Sequence, residues 1–336
     1  MTRLLVVTPR FHGYGDSIAR SFERVGYETT VHHYDHVDSA AKKAWNKFRH
    51  ELPSRLAGDD LVQSPERVTA GAVAAVRRVR PDVVLVVRGD VLGMDFWGEA
   101  AASGRRVAAW LYDEVRRTPR FDPAAVSAFA ALATYSPGDA KGLSDKGIRT
   151  LYVPTGYDDE RPVAPSCEAA RGVVSFVGAP LPGRVSALQT LRDAGVPVRA
   201  WGRGWSDHPI DRARTWRMRG RGIPNERDVP GATAMAVMRD SYATLNVHGD
   251  QDGFTMRTFE SCAVGGVQLI DRADVAEFYE PGSEVLVFEN EAHLVELARE
   301  VVARPESFDD LRRRAARRTL AEHTFVHRAR VLEQLW

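Results

Sequence analysis

Short apolar runs, each closed by a glycine, proline or charged turn, recur along the chain and alternate with stretches of helical period. "RLLVVTP" (3–9) is continuous and apolar, as a strand buried on both faces of a parallel sheet would be. "GDSIARSFERVGYE" then sets Ile18, Phe22 and Val25 at helical spacing and stops at Gly26, and "TTVHHY" resumes as a second strand. Residues 39–80 read as mostly helical, broken at Pro53 and Pro65, before the buried-strand run "PDVVLVVRG" (81–89). "RVAAWLYDE" (106–114), "ALATYS" (131–136) and "TLYVPTG" (150–156) continue the series. Strands alternating with helices predict a mostly parallel sheet covered on both faces.

The run "DDERPVAPSCEAARG" (158–172) has no periodicity and reads as a linker, after which the pattern restarts. "VVSFVG" (173–178), "VPVRAWG" (196–202), "ATLNVH", "VQLID" (267–271) and "VLVFEN" (285–290) read as strands. "RVSALQTLRDAG", "ATAMAVMRDSY", "RTFESCAVGG" and "EAHLVELAREVVAR" read as helices, the last opening a helical tail to Trp336. The expectation is an α/β chain of two Rossmann-like domains, residues 1–165 and 173–320, with a helix over 321–336 crossing back to the first. Two such domains in tandem imply a cleft, and open parallel sheets bind ligands beyond the C-terminal ends of their strands.

Composition narrows the function classes. A length of 336 residues suits two domains with a core each, and 46 basic against 45 acidic side chains leave no overall field that would gather nucleic acid. Cys167 and Cys262 are too few for a disulfide framework or a four-cysteine zinc site. "MTRLLVVTPR" has too short an apolar run for a signal peptide, and no segment is long and apolar enough to span a bilayer, so a soluble cytoplasmic protein is expected.

The chemistry concentrates in "LNVHGDQDGFTMRTFESCAVGGVQLID" (245–271), a strand–loop–helix–strand unit carrying carboxylates where a core would place aliphatics. Asp252 sits in the loop and Glu260 inside the helix, with seven residues between them. A helix N-terminus offers unpaired N–H groups and a positive dipole end to an anion such as a diphosphate. A carboxylate one turn later accepts hydrogen bonds from sugar hydroxyls instead, and Gly253 permits close backbone approach. The bland alternative makes Asp252 a helix cap and Glu260 part of a solvated face.

This spacing resembles the Glu-x7-Glu motif of retaining GT-B glycosyltransferases, with Asp252 in the first position. "GFTMRTFESCAVGGVQLID" is similar to the CgeB-like glycosyltransferases, whose C-terminal domain carries an "R-T-F-E … A-C-G-G" run. "VSFVGAPLPGR" (174–184), "WGRGW" (201–205), "EFYEPGSEVLVF" (277–288) and "HTFVHRARVLEQL" (323–335) agree, so the resemblance covers residues 173–335. It extends weakly to "DVVLVVRGDVL" and "VAAWLYDE". The resemblance implies a GT-B fold of two Rossmann-like domains and transfer of a sugar from a nucleoside diphosphate sugar, UDP by default. The acceptor would be a hydroxyl or amine, and neither metal nor cofactor would be needed. It implies that Glu260 holds the donor ribose and that the turn Gly253, Phe254, Thr255 and Met256 faces the diphosphate. Arg184 would pair with a phosphate oxygen, with Arg257 a second cation, and "GRGIPNERDVP" (220–230) would hold the base. Asp252, facing the donor sugar, is one methylene shorter than the family's Glu.

In the first half, "TPRFHGYGDS" (8–17) follows strand one, where Gly13 and Gly15 would let the backbone approach the diphosphate. His12 reads as a general base or as a polar loop residue. Asp113 and Glu114 at the end of "LYDE" would deprotonate an acceptor or cap a helix, and Arg88 and Asp90 hold a similar place after "VVLVV". His248, Asp250 and Asp252 lack a second set of metal ligands. "RARTWRMRGRG" (212–222) is a solvated loop or an attractor for an acidic acceptor. "AAKKAWNKFRHEL" (40–52) reads as a domain-packed helix before a peripheral membrane contact. Cys262 reads as core. The rivals are a sugar-nucleotide epimerase, a phosphorylase, and a non-catalytic sugar-nucleotide-binding or spore-coat-type protein. With no lysine after Lys146 the chain has no pyridoxal lysine in its second half.

Overall fold

A computed structural model describes residues 1–35, 64–216 and 220–336. The reading over residues 40–52, and part of that over 212–222, lie outside the described residues. The chain forms two compact units, residues 1–155 with 325–336, and residues 156–324.

The first unit is a parallel sheet in the order β2-β1-β3-β4-β5-β6. Its strands are β1 (Thr2–Thr8), β2 (Tyr27–His33), β3 (Val83–Val87), β4 (Arg106–Leu111), β5 (Ala131–Thr134) and β6 (Thr150–Tyr152). β3 is buried along its whole length, as its unbroken Val/Leu run requires of a strand covered on both faces. The covering helices include α1 (Tyr14–Arg24), α2 (Pro65–Val79), α3 (Met94–Ala101), α4 (Pro123–Ser127) and α5 (Pro137–Ser144). Three of them start alike. Ser64, Asp122 and Ser136 each accept a hydrogen bond from a first-turn N–H, and a proline follows in the first turn.

Beyond residue 308 the tail, read as one helical stretch, is two α-helices. α11 (Asp309–Glu322) belongs to the second unit and α12 (Phe325–Leu332) to the first. α12 lies against α1, where the Phe325 ring meets Tyr14 at 6.4 Å and Trp336 meets Phe22 at 5.8 Å. Trp336 Nε1 donates to the Tyr27 hydroxyl at 2.9 Å, which donates to Glu333 at 3.0 Å.

The second unit repeats the layout with the order β12-β11-β10-β7-β8-β9, again all parallel. The strands are β7 (Val174–Val177), β8 (Val198–Trp201), β9 (Asn225–Glu226), β10 (Ala243–Asn246), β11 (Gln268–Ile270) and β12 (Leu286–Val287). Helices α6 (Pro182–Asp193), α7 (Pro209–Arg214), α8 (Gly231–Asp240), α9 (Met256–Ala263) and α10 (Glu291–Ala303) connect or flank them, followed by α11. Part of the arginine-rich stretch read as a loop is the end of α7. Its buried Asp211 is gripped at both oxygens by Arg227, at 2.8 and 3.2 Å.

Residues 158–172, read as a linker, pack along α8. Ala164 N donates to Ala232 O at 3.0 Å, Cys167 N to Asp240 at 2.7 Å, and Ala170 is fully buried with Trp201 and Val237. The segment lacks periodicity because its main chain, rather than an apolar stripe, makes the contacts.

Candidate functional site

In the second sheet the strand order reverses between β7 and β10, so the loops after these two strands diverge and leave a crevice at their C-terminal ends. The first loop runs from Gly178 to Leu181 into α6, and the second from Val247 to Thr255 into α9. Arg184, in the first turn of α6, joins them. Its Nε donates to Val247 O at 3.0 Å, its Nη1 to Ala179 O at 3.3 Å, and its guanidinium lies 5.6 Å from the Phe176 ring. Arg184 thus stands at the switch point and braces both loops.

The turn Gly253–Met256 meets α9 without a side-chain cap. Thr255 occupies the N-cap position in extended conformation, and its own side chain makes no cap hydrogen bond. Phe254 and Met256 are buried, Phe254 among His248, Phe278 and Arg272, so this turn can offer a ligand main-chain N–H groups rather than these side chains.

Glu260 is 2% exposed, which overturns the solvated-face alternative. Arg161 Nη1 donates to Oε1 at 3.3 Å, and Arg257 Nη1 pairs with Oε2 at 3.0 Å. Burying a carboxylate this deeply is costly unless opposite charges meet it, and the two guanidinium groups do so. Neighbouring Tyr157 feels the site too. Burial first, and the Glu260 charge second, push its hydroxyl up to about 12.

The loop itself is held by two consecutive residues at the end of β11. The Asp271 carboxylate accepts from the backbone N–H of His248 at 3.0 and 2.9 Å and of Gly249 at 3.1 Å, and meets His248 Nδ1 at 3.1 Å. Burial alone would raise this carboxyl, yet the hydrogen bonds from the His248 ring and these N–H groups hold it below the ordinary value. An ionised carboxylate only accepts, so the His248 proton sits at Nδ1, while Nε2 faces Thr258 Oγ1 at 3.2 Å. His248, read as one of three metal-ligand candidates, spends both ring nitrogens in this network. Among the described residues no group of three or more His, Cys, Asp or Glu gathers as metal ligands. Next in sequence, Arg272 Nη1 donates to the carbonyls of Gln251 at 2.8 Å, Asp252 at 2.6 Å and Gly253 at 3.5 Å. Its guanidinium stacks 4.1 Å from the Phe254 ring. Beneath the loop, Asn246, Thr258 and Gln268 form a buried polar chain linking β10, α9 and β11. Cys262, hydrogen-bonded to Gln268, is core, and burial pushes its thiol up to about 12.

Arg161, Asp271 and Arg272 were not singled out from the sequence. The only local signal is the "DR" pair immediately after the strand "VQLI", the position at which strand-end side chains enter a site.

The first unit also has a polar edge at the C-terminal ends of its strands. His12 is exposed with φ of 50°, and Gly13 with φ of 75° is the left-handed N-cap of α1. Gly15 is buried, and a Cβ there would come 2.2 Å from Thr8 Cγ2. Helix-to-strand packing therefore accounts for Gly15 without a ligand. After β3, Arg88 adopts φ of 70° and pairs with Asp90 at 2.9 Å. After β4, Glu114 is buried and bound to Arg117, to Arg116 at 3.5 Å and to the Tyr135 hydroxyl at 3.0 Å. Asp113 beside it is half-buried, and burial pushes its carboxyl up, with Arg88 pulling against the shift.

Both units thus have the Rossmann-like build of a GT-B fold. Residues 184–334 match the model of a family described as glycosyl transferase-like. The fold is similar over whole chains to three solved structures. Sucrose-phosphate synthase from Thermosynechococcus elongatus has a TM-score of 0.66 at 11% identity, over 100% of this chain and 98% of that one. TarM has a TM-score of 0.67 at 6% identity, over 100% and 98%. Anabaena HepE in complex with UDP and glucose has a TM-score of 0.63 at 11% identity, over 99% of each. No curated protein matches the chain in sequence. Among the described residues no helix is long and apolar enough to cross a membrane.

Proposed function

We propose that the chain is a cytoplasmic, CgeB-like glycosyltransferase that moves a sugar from a nucleoside diphosphate sugar, UDP by default, to an acceptor hydroxyl or amine. The observation that carries this reading is one convergence in the second unit. Arg184, the α9 N-terminus and the buried Glu260 belong to the two loop–helix connections that flank the sheet's switch point, inside the glycosyl transferase-like match.

The chemistry follows from these parts. The N–H groups at the start of α9 and the Arg184 guanidinium stabilise charge on the departing diphosphate, so no metal is required for that task. Glu260, set between two arginines, has lone pairs left for the ribose hydroxyls. Residues 220–230 hold the base, Asp252 contacts the donor sugar, and transfer is retaining. An acceptor base comes from the first unit. Asp113, with its raised carboxyl, is better matched to proton transfer near neutrality than an ordinary aspartate, and His12 is the second choice.

Thermal unfolding with UDP, GDP and dTDP, each with EDTA present, tests the reading. A ligand at 100 times its Kd stabilises the folded state by about 2.7 kcal/mol. An unchanged melting temperature with all three at millimolar concentration would overturn it. Donor hydrolysis without acceptor then separates an enzyme from a binding protein.

A further inference from the structure

We infer that Asp271 and Arg272 act together as a clamp that holds the 248–254 loop pre-formed for the nucleoside diphosphate. They are positioning residues that act on the ligand through the main chain of that loop. The inference rests on the donor-site reading above and goes beyond it, since neither residue is assigned a role by the motif.

The division of labour is chemical. Asp271, an acceptor, takes the N–H groups of His248 and Gly249 at the start of the loop. Arg272, a donor, takes the carbonyls of Gln251, Asp252 and Gly253 at its end. One carboxylate and one guanidinium, adjacent in sequence, thereby fix the main chain on both sides of Asp250. Main chain that is held in place by the protein before the ligand arrives does not have to be ordered by the ligand. Ordering cost subtracts directly from affinity. Arg272 is also locked from outside, by Asp274 on one edge and by the Phe254 ring on its face. Phe254 in turn packs on His248, whose ring is bound to Asp271. The clamp is therefore closed on itself, and it adjoins the turn whose N–H groups face the diphosphate.

Nη1 of the guanidinium reaches the three carbonyls while Nε and Nη2 hold Asp274 and the planar face stacks on Phe254, so an ammonium keeps the charge but loses this division of contacts. This sets the test. Hydrogen exchange is measured by mass spectrometry on peptides covering 247–256 in the wild type, Arg272→Ala, Arg272→Lys and Asp271→Asn, with and without UDP. Titration of UDP on each protein gives Kd. Arg272→Ala should raise exchange in 249–254 at least tenfold, leave the other strands of the second unit protected, and raise the UDP Kd about tenfold. Arg272→Lys should fall between Ala and wild type in both readouts. Asp271→Asn should loosen 248–249 and raise Kd in the same direction, providing a second variant if Arg272→Ala does not fold.

Unchanged exchange in 249–254 in both Arg272 variants overturns the clamp. Increased exchange with a UDP Kd within twofold of wild type overturns its service to the ligand. Parallel loss of protection throughout the unit would make Arg272 an ordinary structural brace. A wild-type protein that binds none of UDP, GDP or dTDP removes the donor-site reading, while the exchange data still report whether the clamp exists.

Discussion

The strand ends of the two units are built on the same plan but differ in how they treat charge. In the second unit, Glu260 and Asp271 each meet opposite charges or N–H donors, and Arg272 meets carbonyls and a carboxylate. In the first, Glu114 is equally matched, but Asp113 is half-buried with its carboxyl pushed up. An edge whose buried carboxylates meet opposite charges or N–H donors holds fixed charges and suits binding of an anion. An edge with one carboxylate displaced from its ordinary range suits proton transfer. This difference supports the roles proposed above, donor binding in the second unit and acceptor chemistry in the first.

The largest test is Glu260→Gln. Removing one partner from a buried ion cluster leaves Arg161 and Arg257 without their carboxylate, and the cost should be about 3 kcal/mol of stability. Thermal unfolding should show this loss together with weakened UDP binding. A stability within experimental error of wild type would mean that the second edge is not charge-matched in solution.

Next is Gly15→Ala against Gly13→Ala, both in the first unit. The methyl at 15 collides with Thr8, and overpacking of this kind costs about 2 kcal/mol. At Gly13 nothing lies within 4 Å, and only the left-handed backbone opposes a side chain, for about 1 kcal/mol. Urea denaturation checks the ranking, and an unchanged nucleotide response in both variants would confine these glycines to packing.

Arg184→Ala should lower UDP affinity by about 1.5 kcal/mol, the scale of a hydrogen bond to a charged group. Arg184→Lys should be intermediate, because it keeps the charge but not the bridge from Ala179 to Val247. If Ala instead lowers stability and leaves UDP binding intact, the arginine is a brace only.

The smallest effect is the acid response, and it carries opposite signs in the two units. The Arg227 hydrogen bond lowers the Asp211 carboxyl to about 2 from an ordinary 3.8. Its contribution is therefore present above the ordinary value and lost as pH falls towards 2. Asp271 follows the same sign. The raised Asp113 carboxyl behaves oppositely, its protonation favouring the folded state as pH falls through its folded value. Urea midpoints between pH 2 and 6 for Asp211→Asn and Asp113→Asn should diverge from wild type in opposite directions.

Most strands were legible because a buried parallel strand writes its burial into consecutive residues, as "VVLVV" does. β9, with two residues, and α7, with six, are too short to leave a period, and both were missed. The helical tail was legible as helix, whereas its division at His323–Thr324 was not. That break is fixed by pairing with Tyr157, remote in sequence.

By itself the sequence determined the alternation of strand and helix, the two-fold repetition of that alternation, and the loop–helix unit holding Asp252 and Glu260. Those properties are local, set by side-chain period and by turn and cap chemistry. Only the tertiary structure decided that Glu260 is buried between Arg161 and Arg257. Its partner Arg161 lies 99 residues away, in a segment with no pattern of its own. The same holds for Asp271 and Arg272, whose task depends on β11 pairing with β10 and ending beside the loop. A charge finds its partner through the register of strands, and no window of sequence contains that register.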